Sequence, residues 1–296
     1  MDEHEALVER AVRETARVML LGGLDSGKTT LGRAMVRAAC AQGRTAAFID
    51  ADVGQKSVGP PTTIGLKLIR GPEDAEPEGM TEADALSFVG STSPQGHMLS
   101  VVTGTARLLA VATESGAEFV VVDTSGMVSG VYGQLLKYHK MELVRPDLVV
   151  GLQRGEELDP LLGIARRFFS GDVYALGVHP AVAATSVEQR AQNRERAMER
   201  YFAKPVQRWR VKPTVFMPAL PALFDLRELD RLVVGLSDGQ GSYLGIGFLE
   251  HSNEDGVLRL ISPVAEAPKA LRLGSVRLEE GFRAKRVDLR NLFGTD

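Results

Sequence analysis

The clearest chemistry in this chain is contiguous. Gly22-Gly23-Leu24-Asp25-Ser26-Gly27-Lys28-Thr29 is a G-x4-G-K-[ST] segment, preceded by the apolar run 18–21 and followed by Thr30. Glycines at this spacing let backbone N–H groups turn inward around phosphate oxygens. Lys28 offers a point charge to the β- and γ-phosphates, and Thr29 offers a hydroxyl to Mg²⁺. The segment implies a nucleoside triphosphate and leaves open what receives the γ-phosphoryl group. Guanine reading through an N-K-x-D segment is not expected. The chain has none, and the run 148–151, where one would follow, passes into Leu152-Gln153-Arg154.

Acids stand where apolar runs end. Asp123 follows 119–122 and has the form of a strand-end acid that orients Mg²⁺ directly or through water. A cap or turn in Asp123-Thr124-Ser125-Gly126 is the plain alternative. Asp50 and Asp52 close the run 45–49. Alternation in an extended chain points them the same way, with Ala51 opposite. Like charges this close push one pKa up when both are shielded from water. One could accept a proton from an attacking hydroxyl while the other organises metal or water; a solvent-facing turn is the plain alternative. Arginines recur at Arg190, Arg194, Arg196 and Arg200, and the i,i+4 pair Arg190/Arg194 shares a helix face. Such a segment is either a solvated amphipathic helix or a lid. A lid would lay positive charge over a migrating phosphoryl group and expel water.

These groups need a scaffold that aims them at one place. Periodicity predicts helices over 5–16, 28–42, 96–115, 133–141 and 161–168, and strands over 18–21, 45–49, 85–89, 119–122, 148–151 and 173–176. Strands alternating with helices imply an α/β fold: a P-loop-type parallel sheet flanked by helices. Ligands bind such sheets outside the carboxyl ends of the strands, where Asp50, Asp52, Asp123 and the glycine-rich loop all fall. Residues 54–65 read as a Gly/Pro/Thr loop, and 71–82 as an acidic, exposed one. Beyond Pro205 the pattern changes to short strands over 211–216, 232–236, 244–250, 257–261 and 275–278, divided by turn residues. A boundary near 205 is expected. It would separate a domain over 1–205 that includes the arginine segment from a smaller β-rich C-terminal domain over 206–296.

Composition narrows the class. With 44% apolar and 25% charged residues, the 296-residue chain has the make-up of a globular protein. A net charge of -3 argues against a surface built to grip long nucleic acid, though not against a local basic groove. The single cysteine, Cys40, excludes a disulfide within the chain and is expected to pack in the core. No apolar run reaches membrane-spanning length and no signal-peptide pattern opens the sequence, so a cytoplasmic protein without a membrane partner is expected.

Taken in order, these segments resemble the polynucleotide 5'-hydroxyl kinases of the Clp1/Grc3 group. The run 22–29, with Asp25, resembles that family's phosphate loop. Asp50-Ala51-Asp52-Val53-Gly54-Gln55 resembles its acidic element, and Thr63-Ile64-Gly65 its T-x-G clasp. Ser91-Thr92-Ser93-Pro94 resembles its T-S-P segment, the run 123–130 its N-T-x-G-W element, and 189–202 its arginine lid. The resemblance covers roughly residues 17–280. It implies ATP, or another nucleoside triphosphate, with Mg²⁺, and a nucleic-acid 5'-hydroxyl end as acceptor. Residues 22–30 would hold the nucleotide, with Lys28 catalytic. Thr29, Asp50 and Asp123 would serve the metal, and Asp52 would be the base. Gln55, Thr63, Gly65 and Met127 would meet the acceptor, and Arg190 and Arg194 would form the lid, with Arg196 a lesser helper.

Two departures stand out. Met127 occupies a position where the family usually has an aromatic ring, so the flat surface for base stacking is missing. The phosphate loop also begins at residue 22, whereas many relatives carry a domain before it; this suggests a stand-alone end-processing enzyme. A kinase of a small metabolite or nucleoside, or an inactive nucleotide-binding adaptor of RNA processing, remains the alternative. DNA or RNA as acceptor is left open.

Overall fold

The structure, a computed structural model, describes residues 3–294. In chain order the first part comprises α1 (Glu3–Glu14), β1 (Arg17–Gly22), α2 (Lys28–Ala41), β2 (Ala46–Ala51), β3 (Thr63–Ile69) and β4 (Ala85–Phe88). Then follow α3 (Met98–Glu114), β5 (Phe119–Thr124), α4 (Gly130–Val144), β6 (Leu148–Gln153), α5 (Asp159–Phe168), β7 (Asp172–Gly177) and α6 (Val187–Phe202). The remainder is β8 (Gln207–Arg210), β9 (Phe216–Met217), β10 (Leu232–Ser237), β11 (Tyr243–His251), β12 (Leu258–Ser262), β13 (Ala270–Leu278), β14 (Ala284–Arg286) and α7 (Leu289–Phe293).

The centre is a parallel array, β2-β5-β1-β6-β7, in which β2, β5, β1 and β6 are almost wholly buried because helices cover both faces, while the edge strand β7 is largely open to solvent. Alternation along each strand sorts its residues. Val18 and Leu20 of β1, Phe48 of β2 and Val121 of β5 pack with α1 and α2. Ala47, Ile49, Val120 and Val122 point the other way, onto α3 and α4. The β2/β5 register places Asp50 directly beside Asp123. That pairing brings two acids 73 positions apart in sequence to the same strand ends.

The sheet then continues antiparallel. β3 pairs with β2, β4 with β3, and β11 joins β4 through Tyr243 and Leu86. The β-rich region after α6 therefore extends the same mixed sheet. Its core also holds α6: Met198 and Phe202 pack with Phe88, Val233, Ile246 and Phe248. The arginine-bearing helix is thus anchored at its C-terminal end by apolar packing, while its N-terminal end reaches the glycine-rich loop.

Three local expectations are corrected. Residues 54–65 are not loop throughout, because β3 begins at Thr63. Its Gly65 hides the strand in sequence, yet glycine is required there, since a Cβ would collide with the Val58 carbonyl. Of residues 211–216 only Phe216 is in a strand, the first residue of β9; Pro213 lacks an N–H for a ladder and opens a 3-10 turn over Pro213–Val215. Within 71–82, Ala75 and Met80 are buried rather than exposed, because they close the core beneath α2.

Candidate active site

The loop between β1 and α2 is shaped by its own residues. Gly27 is left-handed, with φ +84°, and leads into Lys28 at the first turn of α2. The amides of that turn and the helix dipole favour an anion there. Lys28 is buried, and its Nζ donates to the Gly22 and Gly23 carbonyls at 3.0 and 2.6 Å and to Ser26 Oγ at 3.2 Å. Burial lowers its pKa, opposed by the charges of Asp123 and Asp52. Leu24 at the loop tip is half exposed, and Thr30 lies at the surface. Gly126 lets the segment after β5 lie against the loop, since a Cβ there would sit 2.7 Å from the Leu24 amide nitrogen.

Thr29 and Asp123 meet across the β1–β5 strand ends. Thr29 Oγ1 donates to Asp123 Oδ2 at 2.5 Å. Asp123 Oδ1 is buried and has no hydrogen-bond partner among the described residues. Burial pushes the Asp123 carboxyl up to about 6, against the pull of Lys28 and with the help of Asp50. An orphaned buried carboxylate oxygen beside a hydroxyl fits Mg²⁺, which is bound through one or two protein groups plus phosphates and waters. Among the described residues there is no group of three or more His, Cys, Asp or Glu able to hold a metal. A Mg²⁺ carried in by a triphosphate needs none.

Asp50 and Asp52 have different surroundings. Asp50 is 1% exposed. Its Oδ1 accepts from the Asp52 amide at 3.0 Å, and its Oδ2 from the Ser57 and Val58 amides at 2.7 and 3.0 Å. Lys56 Nζ, equally buried, sits 3.1 Å from Oδ2 and also reaches the Asp50 carbonyl. Asp52 is half-buried; its Oδ1 accepts from the Gly54 and Gln55 amides at 2.9 and 3.1 Å. Its Oδ2 carries no hydrogen bond among the described residues. Both charges act on Asp123 and Lys140, but Asp50's oxygens are already engaged by the loop that follows it.

The arginine segment closes onto the glycine-rich loop. Ser186 caps α6, with a reciprocal bond from Gln189. Arg190 Nη1 donates to Asp25 Oδ2 at 3.0 Å and to the Thr185 carbonyl at 2.5 Å, and the Thr185 amide shares Asp25 Oδ2 at 2.9 Å. Arg154 Nη2 holds the Asp25 carbonyl from the other side at 2.5 Å. Gln55 Nε2 donates to the Arg190 carbonyl at 3.1 Å, tying the acidic loop to the same helix. Arg194, one turn on, is half-buried; desolvation lowers its pKa and the Asp52 charge opposes that. Arg196 is exposed.

Other expected acceptor residues lie deeper. Thr63 is 1% exposed and its hydroxyl donates to the Pro60 carbonyl at 2.7 Å. Gly65 is covered by Val58. Their neighbour Thr62 holds a left-handed φ of +73° with its hydroxyl buried and unpartnered. Met127 is half-buried against the α3/α4 core.

Two site residues went unread in the sequence. Lys137 and Lys140 of α4 are 0% exposed. Lys137 Nζ donates to Thr124 Oγ1, Ser125 O and Ser125 Oγ at 2.9, 2.6 and 3.3 Å, bracing the turn after Asp123. Lys140 Nζ reaches the Ala51 carbonyl at 3.3 Å; burial lowers its pKa to about 8 while Asp52, Asp123 and Asp50 pull it up. Both lie on the α4 face that carries Gly133, Leu136, Met141 and Val144. Helical spacing alone would have marked them as inward-facing cations.

The model of the mRNA cleavage and polyadenylation factor CLP1 P-loop family matches residues 22–204, from the glycine-rich loop through α6. The chain belongs to this family. A polyribonucleotide 5'-hydroxyl-kinase of Thermococcus kodakarensis is 29% identical over 89% of this chain and 88% of that protein. One of Methanocaldococcus jannaschii is 28% identical over 89% of this chain and 87% of that protein. A chain of the wild-type Clp1p–Pcf11p complex superposes with a TM-score of 0.71 at 14% identity, over 93% of this chain and 77% of that one, so the fold is shared. Among the described residues, no helix is long and apolar enough to cross a membrane.

Proposed function

We propose that this protein is a polynucleotide 5'-hydroxyl kinase that transfers the γ-phosphoryl group of ATP to the 5'-hydroxyl end of RNA or DNA. The observation that carries this reading is Asp52. One of its oxygens is fixed by two loop amides and the other is uncommitted, and the carboxylate lies in the electrostatic field of Lys28 and Arg194. The terminal 5'-oxygen attacks the γ-phosphorus, its proton passes to Asp52 Oδ2, and the bond from γ-phosphorus to the bridging oxygen of ADP breaks. Lys28 turns from the loop carbonyls to the β- and γ-phosphates, and Arg190 and Arg194 oppose charge on the transferring group. Thr29 and Asp123 would hold Mg²⁺, which neutralises phosphate charge when bound. Asp50 acts through the loop: it orders residues 52–58 and so aims Asp52. Thr63 and Gly65 shape that loop from beneath, and Met127 offers an apolar contact to the terminal base.

The test is transfer from γ-labelled ATP, with Mg²⁺, to 5'-hydroxyl RNA and DNA oligonucleotides and to free nucleosides. Labelled polymer ends are expected. Label on nucleosides or another small molecule alone, with none on either polymer, would overturn the assignment.

A further inference from the structure

A cleft of about 230 Å³ opens beside the candidate site and takes no part in the phosphoryl transfer described above. One wall is the loop residues Lys56, Ser57, Gly59 and Pro60, which continue the acidic segment beyond Asp52 and Gln55. The opposite wall is Ala197, Arg200 and Tyr201 in the second half of α6, with Lys204 two residues beyond its end. Positions 190, 194, 197, 201 and 204 recur at helical spacing, so the face that meets Asp25 and Asp52 also lines the cleft. From Arg194 to Tyr201 is seven residues, about 10 Å along the helix axis. The cleft therefore begins roughly where a chain leaving the Asp52 carboxylate along α6 would next need a surface.

Its chemistry is divided. Leu86, Leu244, Pro60, Pro263 and Val264 form an apolar floor, joined by the Tyr201 ring. Tyr201 is fixed, because its hydroxyl takes a bond from the Ile246 amide at 3.0 Å and gives one to the Ile246 carbonyl at 3.3 Å. Arg200 and Lys204 stand at the surface over this floor. Lys56 adds no net charge, being paired with Asp50, and the one acid, Glu82, lies 2.6 Å from Lys204 Nζ. A flat apolar group joined to an anion matches both halves. That is a nucleotide: the base contacts apolar and aromatic surface, and the phosphate takes the cations.

We propose that this cleft seats the nucleotide following the terminal one of the acceptor strand, its base on the apolar floor and the phosphate on its 3' side, a group that a nucleoside 3'-monophosphate lacks, on Arg200 and Lys204. The proposal rests on the kinase reading above. It places the surface for acceptor length on α6 and the C-terminal strands, away from Met127.

The experiment compares acceptors that each carry a 5'-hydroxyl: a nucleoside 3'-monophosphate, a dinucleotide and a tetranucleotide. The intact protein should favour the longer two. Arg200→Ala with Lys204→Ala should lower kcat/KM for the tetranucleotide about 5- to 20-fold and leave the nucleoside 3'-monophosphate unchanged. The slope of log Kd against log salt for a tetranucleotide should fall by about 0.7 per lost phosphate contact. Glu82→Gln, which removes the opposing charge, should lower the tetranucleotide KM. No length dependence, or an equal loss on all three acceptors, overturns the cleft assignment while leaving the kinase reading intact. Absence of transfer from the intact protein to every acceptor overturns the kinase reading itself.

Discussion

The glycine-rich loop and the side proposed above for the acceptor are built in opposite ways. Residues 22–29 are one contiguous turn whose functional groups are mostly backbone amides, and the only long side chain aimed inward is Lys28. The acceptor side is assembled from the loop after β2, the turn after β5, the buried cations of α4 and the face of α6. Polar side chains there are divided between holding shape and remaining free to react. Asp50 and Asp52 are two residues apart, yet Asp50 is saturated by amides and Lys56 whereas Asp52 keeps an oxygen free. A motif built from backbone declares its purpose in sequence, whereas one built from side chains does so only when their partners are known.

The comparison is sharpest at its catalytic ends. Asp52→Asn should retain ATP affinity in calorimetry and lose about 10²- to 10⁴-fold in kcat for 5'-hydroxyl oligonucleotides. Lys28→Ala should lose at least as much. Full activity in the Asp52 variant would move the base elsewhere. Asp50→Ala should behave differently: it strands buried Lys56 and should cost about 3–5 kcal/mol in denaturant unfolding. A folded, equally stable Asp50→Ala protein with only kcat reduced would place Asp50 among the reacting groups.

Asp123 separates the two sides by pH. Its folded pKa, about 6, lies above the ordinary 3.8, so the folded chain holds the proton more tightly than the unfolded one. Its contribution to stability therefore falls as pH rises from about 4 to about 6 and is flat above that. Asp123→Asn should melt higher than the parent at neutral pH, with the difference closing toward about pH 4. A difference independent of pH would show that the Asp123 carboxyl titrates alike in the folded and unfolded chains. The smallest effect is expected at Thr63. Thr63→Val removes one buried hydrogen bond, should cost about 1 kcal/mol, and should leave the oligonucleotide KM unchanged. A tenfold rise in KM would return Thr63 to direct contact with the acceptor.

Much of the fold was legible because long periodic runs make one choice. The run Phe-Val-Val-Val before Asp123 is a buried central strand in any α/β reading, and α2, α3 and α5 sit within a few residues of their expected bounds. β3 was obscured by Gly65, Pro60 and Pro61, which act as breakers until a neighbouring backbone requires them. Lys137 and Lys140 were passed over because lysine defaults to the surface. Their amines are retained inside by Thr124, Ser125 and the Ala51 carbonyl, groups with no sequence relation to α4. The β strands after α6 were visible individually, but their continuity with the central sheet rests on the Tyr243–Leu86 pairing, which spans 157 positions.

By itself the sequence determined the phosphate-binding turn, since glycine spacing and a following helix suffice to set local dihedrals and aim local amides. It also determined that acids would gather at strand ends, because a parallel sheet puts its strand carboxyl ends on one edge. Only the tertiary structure decided which acid is free, which arginine grips the loop and which cations cover the cleft. Those outcomes depend on solvent exclusion and on hydrogen-bond partners brought from distant parts of the chain.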